Sequence, residues 1–170
     1  MKTTPQPKSD TELHELLVDQ LRDILWAEKH LVKALPKMSK AANDPKLSEA
    51  FALHLAETKN HVVRLETVLT GLGLSTRAKK CPAMEGLLKE ADELTEEYAD
   101  SSALDAALIT AAQKVEHYEI ATYGTMRAFA QRLGYEDAVK LLTETLEEEG
   151  KADQALTEIA MGGVNQTADT

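Results

Sequence analysis

Apolar residues recur every three or four positions through most of this chain, and the recurrence predicts four long helices. The first stripe runs Leu13, Leu17, Leu21, Ile24/Leu25, Glu28, Leu31/Val32 and Leu35. Ser9 and Glu12 have capping-box spacing at its start, and Pro36 predicts a kink because Met38 and Ala41 continue the pattern. Asn43-Asp44-Pro45 reads as a tight turn into a second helix, about 45–72, with the seam Leu47, Phe51, His54, Glu57, His61, Leu65 and Val68. A third long stripe, about 102–133, carries Leu104, Leu108, Ala111, Val115, Glu119, Thr122, Met126, Phe129 and Leu133. Gly134 breaks it, and a fourth covers about 135–160 with Ala138, Leu142, Thr145, Glu148, Ala152, Leu156 and Ile159. The connection 73–101 is too long for a hairpin loop. It carries a short amphipathic pattern, Met84, Leu87, Leu88, Ala91 and Leu94, and is long enough to cross from one end of a bundle to the other.

The chain therefore reads as an all-α protein: a helix pair, a long crossover with a short extra helix, and a second helix pair. Residues 1–8 are expected to be a disordered lead-in, 9–160 a single four-helix-bundle domain and 161–170 a flexible tail. Sliding the sequence by 91 residues lays Glu28 on Glu119, Glu57 on Glu148, Phe51 on Leu142 and Leu65 on Leu156. Two of the few identities in this weak repeat are seam carboxylates.

Those carboxylates carry the chemistry. Glu28, Glu57, Glu119 and Glu148 stand where apolar residues are expected, at similar distances from the turn in each helix pair. Glu116 lies one turn before Glu119, and His61 about one turn after Glu57. Buried carboxylates at close range raise one another's pKa, and two divalent cations relieve both the burial and the repulsion. Oxygen-rich sites with a few imidazoles suit iron or manganese. The predicted metal ligands are thus Glu28, Glu57, His61, Glu116, Glu119 and Glu148. His54 is the weaker candidate, read first as a core histidine or as a partner of a ligand. Tyr118 and Tyr123 are read as packing groups. In the run Glu147-Glu148-Glu149 only Glu148 is assigned to the seam.

Composition narrows the partners. The net charge of −10 disfavours a nucleic-acid surface and favours cations. One cysteine, Cys81, excludes an internal disulfide and a multi-cysteine zinc site. No stretch is apolar for long enough to span a bilayer, so a cytoplasmic location without membrane contact is expected.

Five segments carry a family resemblance: Ala27-Glu28-Lys29-His30-Leu31, His54-Leu55-Ala56-Glu57-Thr58, Cys81-Pro82-Ala83-Met84-Glu85-Gly86-Leu87, Gln113 to Ala121, and Thr145-Leu146-Glu147-Glu148-Glu149. They resemble the YciE/YciF-type bacterial stress proteins, a branch of the ferritin-like superfamily. The resemblance implies a ferritin-like bundle, a homodimer, a di-iron or di-manganese centre meeting dioxygen or peroxide, and a cytoplasmic stress role. A metal-free structural or interaction bundle is the alternative. The histidines that the superfamily places three residues after the second- and fourth-helix glutamates are Asn60 and Lys151 here, with His61 a substitute for the first.

Overall fold

The computed structural model describes residues 10–170; the expected lead-in 1–8 and the Ser9 cap lie outside them. Among the described residues there are α-helices and no strand. They are α1 (Glu12–Ala41), α2 (Pro45–Gly71), α3 (Pro82–Glu97), α4 (Leu104–Leu133), α5 (Glu136–Ile159) and α6 (Asn165–Ala168). The four long helices are the predicted ones, and α3 is the short helix of the crossover.

Local chemistry sets their ends. Thr11 caps α1, accepting from the His14 amide at 3.2 Å. Asp44 caps α2 through the amides of Lys46 and Leu47 at 2.8 and 3.0 Å, and Pro45 occupies the first turn, where its missing N–H costs nothing. Gly134 closes α4 in the left-handed region at φ 82°, which a β-carbon disfavours. Pro36 lies inside α1, which runs on to Ala41.

Each long helix packs on two others, in the cyclic order α1, α2, α5, α4. Two contacts fix the directions. Asp105, in the first turn of α4, accepts from the Asn43 and Asp44 amides of the α1–α2 turn, both at 2.8 Å. At the other end, the Tyr135 hydroxyl after α4 lies 2.8 Å from His14 Nδ1 at the start of α1. Neighbours in the ring are therefore antiparallel. The crossover runs the length of the bundle, pinned to α1 by the Lys79 amide on Arg22 O at 2.9 Å, and α3 covers α4 and touches α1.

The core is a continuous filling of Leu, Ile, Met and Ala from all four helices, including Leu21, Leu25, Leu65, Leu108, Met126 and Leu142. No helix among the described residues is long and apolar enough to cross a membrane. Where the sequence predicts a loose polar tail, the chain continues through Ala160–Val164, kinked at Gly163, into α6. Val164 is buried and both segments touch α4, so one apolar side chain gives the tail a place to pack.

Asp105 joins the two helix pairs through charge-assisted bonds to backbone amides. Asp105→Ala should lower unfolding free energy by about 1–3 kcal/mol in urea titrations. An unchanged midpoint would mean that the turn is held by packing alone.

Candidate metal centre

Halfway along the bundle the apolar filling is interrupted. Glu28 comes from α1, His54, Thr58 and His61 from α2, Glu116, Glu119 and Tyr123 from α4, and Thr145 and Glu149 from α5; all are buried. Spacings of three and four keep each set on one helix face: 54, 58, 61 on α2 and 116, 119, 123 on α4.

The donor atoms converge in two groups. One atom each from His54, Glu116, Glu119 and Glu149 lie within 4.8 Å of one another, and so do atoms of Glu28, His61 and Glu149. Glu149 belongs to both. Its carboxylate lies 3.1 Å from His61 Nδ1 on one side and 3.5 Å from His54 Nε2 on the other. His61 Nδ1 is 3.4 Å from Glu28, and His54 Nε2 is 3.3 Å from Glu116. These contacts lack hydrogen-bond alignment. Glu28 Oε2, His54 Nε2, His61 Nδ1, Glu116 Oε2 and both oxygens of Glu119 and Glu149 have no hydrogen-bond partner. Tyr123 donates to the other Glu28 oxygen, the one that also lies nearest His61, and leaves Oε2 buried without a partner.

Each histidine is oriented from behind. His54 Nδ1 donates to Glu57 at 3.3 Å, and His61 Nε2 to Glu148 at 2.8 Å. Arg64 grips Glu148 from the rim, with a nitrogen–oxygen distance of 2.9 Å in one arm of the fork, and also reaches Thr145 at 3.3 Å. A carboxylate on the far ring nitrogen fixes a histidine's orientation and aims the other nitrogen at a metal.

This arrangement corrects two predicted positions. Of the six expected ligands, Glu28, His61, Glu116 and Glu119 meet in the core, whereas Glu57 and Glu148 lie on its flank. The Glu148 side chain is 25% exposed while that of Glu149 is fully buried. The reason is helical phase. The buried stripe of α5 is Ala138, Leu142, Thr145, Glu149, Leu156, and the step after Thr145 is four residues rather than three. In α2 the same phase buries Thr58 rather than Glu57. Along α4 it buries Tyr123 and Ala130 where the predicted stripe has Thr122 and Phe129. Tyr123 and Glu149 are thus residues of the site that the sequence does not single out, and His54, the weaker candidate on the α2 seam, takes a full place in it. An alternating four-three step from Ala138 would have found Glu149, whereas Tyr123 follows two successive steps of four from Val115.

Burial and charge act together here. Burial, opposed by His54 and reinforced by Glu149, holds the Glu116 carboxyl well above its usual range. Burial and the charges of Glu149 and Glu28 do the same to Glu119. Glu149 is raised by burial against the pull of His61. Burial works to lower the imidazoles, but Glu57 and Glu116 raise His54, and the close carboxylates of Glu149 and Glu28 push His61 up to about 11. Only Glu148 moves the other way, lowered by Arg64. The cluster therefore retains protons to limit its charge.

The chain is 46% identical to protein YciF of Escherichia coli K12 over 158 residues, 92% of this chain and 95% of YciF. The crystal structure of that E. coli stress protein superposes with a TM-score of 0.86, covering 92% of this chain and 98% of the other. YcfI of Rhodopseudomonas palustris gives 0.84 at 46% identity, covering 86% of this chain and 94% of that one. A Xanthomonas campestris protein, at 19% identity, shares the fold with a TM-score of 0.73 over 94% and 97% of the two chains. The resemblance carried by the sequence motifs holds over nearly the whole chain. Residues 12–169 match the family described as a domain of unknown function, DUF892, and the chain belongs to that family.

Proposed function

We propose that this chain is a di-metal carboxylate protein of a bacterial stress response. In this reading it binds two divalent ions, iron in preference to manganese, and reacts iron(II) with dioxygen or peroxide. The observation that carries the reading is the set of inward-facing buried oxygen and nitrogen atoms without partners. Buried polar atoms left unpaired are costly, and native structures rarely leave so many together. The donor chemistry fits. Four ionised carboxylates, Glu28, Glu116, Glu119 and Glu149, balance two divalent ions, and the two imidazoles add neutral nitrogen donors.

The roles follow from the contacts. Glu28 and His61 would hold one ion, and His54, Glu116 and Glu119 the other, with Glu149 shared between them. Glu57 and Glu148 hold the imidazole tautomers, Tyr123 fixes Glu28, and Arg64 keeps Glu148 ionised and in place. The Leu, Met and Ala filling keeps bulk water out. Two redox-active ions would supply the electrons for reducing a small oxidant. The stress-protein description of E. coli YciF supports the physiological side of the proposal. The description of R. palustris YcfI offers a structural role instead. A metal-free bundle would have to keep the cluster protonated, and the two readings separate on metal content.

Reconstitution with iron(II), followed by elemental analysis, should give two ions per chain and a saturable near-ultraviolet absorbance on exposure to air. Glu149→Ala should lose both ions. Glu148→Ala should retain the donor set and weaken binding by roughly 10–100-fold. Equal metal content in Glu149→Ala and the parent would sink the proposal.

The pH dependence of the metal-free protein tests the electrostatics separately. Glu116, Glu119 and Glu149 have folded pKa values above their unfolded value, so the stability they confer is full below about 4.5 and is lost as pH rises through the folded values. The raised His54 and His61 act in the same direction, losing their contribution as pH rises from about 6.5 toward about 11. Glu148 has the opposite sign, but only at and below about 4.5. The metal-free melting temperature should therefore fall between pH 5 and pH 8. Metal loading should flatten or reverse the slope, because ions bind the deprotonated ligands. A metal-free melting temperature that rises over this range would contradict the protonated cluster.

A further inference from the structure

The two halves of the centre differ in their access to solvent. A cleft of about 260 Å³ opens between α2 and α5, with room for several waters. Its rim includes Leu53, 63% exposed, and the exposed Lys151; its floor is His54 and Glu116, only 6% and 2% exposed. Glu57 lines one wall and Ala152 the other. The opposite half is closed: Glu28 and His61 are fully buried, Tyr123 covers one Glu28 oxygen, and the Glu148–Arg64 pair stands behind the His61 ring.

The weak internal repeat explains the difference. Ala152 is the α5 counterpart of His61, 91 residues on. On α2 that position carries an imidazole that fills its half of the core, and on α5 it carries a methyl group. The volume missing at Ala152 contributes to the cleft.

We propose that this cleft is the port of the centre and makes its two metal positions unequal. The His54–Glu116–Glu119 position exchanges its ion with solvent and accepts small exogenous ligands. The Glu28–His61 position is closed and retains its ion. The inference rests on the di-metal reading and adds an order to it: the cleft-side ion is last to be fixed, first to be lost and the one that meets the small molecule. The walls are mainly apolar, and the mouth carries one acidic and one basic residue, Glu57 and Lys151, which leaves little net charge to exclude small neutral or singly charged species.

Cobalt(II) reports both occupancy and ligand exchange through its visible spectrum. Protein loaded with cobalt(II) should bind two ions per chain, and excess EDTA should remove them in two phases of equal amplitude. Azide should perturb only the fast-leaving ion. Ala152→Leu, which fills the wall, should slow the fast phase several-fold and block the azide response at unchanged stoichiometry. Leu53→Trp, at the exposed rim, should act in the same direction without touching the core. Two ions leaving in a single phase, or a fast phase unaltered in both variants, would overturn the port while leaving the di-metal reading intact. No bound cobalt at all would overturn both.

Discussion

Everything about the middle of this bundle follows from one constraint: ionisable groups placed in an apolar core must have their charge balanced. Glu28, Glu116, Glu119 and Glu149 are buried within a few ångströms of two imidazoles. Without balance, their mutual repulsion and desolvation would oppose folding. Protons provide one solution, visible in the raised carboxyl groups and imidazoles. In the proposed function two divalent cations would provide the other, and only that solution would use the unpaired atoms as donors. The fold would then have two alternative counter-charges at one place, and metal content, proton content and stability would be linked.

The neighbouring flank shows how the position of such groups is held. From the rim inward, Arg64, Glu148, His61 and then Glu28 or Glu149 alternate in character, cation against carboxylate against imidazole. Arg64 is partly exposed and keeps its hydration, while its fork immobilises Glu148. On the other side Glu57, partly exposed, does the same for His54 without a guanidinium behind it. The cluster is preorganised from the surface, and its internal donors can remain without hydrogen bonds because their orientation is set elsewhere.

Much of this was legible in the sequence. The 3.6-residue recurrence located the long helices and the crossover helix, because their apolar stripes are long and their stops are Gly and Pro. Glu28 and Glu119 were identifiable because apolar residues flank them one turn away on both sides. The harder choice was between adjacent candidates. Glu57 and Thr58, or Glu148 and Glu149, differ by one residue, and a single step of three or four decides which faces inward. The repeat encouraged the wrong choice: it aligns two identical glutamates, Glu57 and Glu148, whose shared character reflects a common flank position. The chemistry at Thr58 and Glu149 diverges because that is where the two halves face the core. Tyr123 was hidden for a different reason, since a buried tyrosine and a packing tyrosine look alike until the hydroxyl has a partner.

The same repeat separates what is common scaffold from what is site. Leu47 and Ala138, Phe51 and Leu142, Leu65 and Leu156, and Glu28 and Glu119 occupy matching buried places. Four other pairs differ in kind: Leu25 against Glu116, His54 against Thr145, Thr58 against Glu149 and His61 against Ala152. At these four places one half supplies both imidazoles, and the other supplies two extra carboxylates and the smallest side chain. A symmetric frame carrying unlike substituents cannot build two equal ligand sets. The Glu28 side has a single imidazole, one carboxylate of its own and a tyrosine. The Glu119 side has an imidazole, two carboxylates and an open wall. The inequality proposed for the two metal positions would therefore come from four residue pairs on an otherwise similar frame.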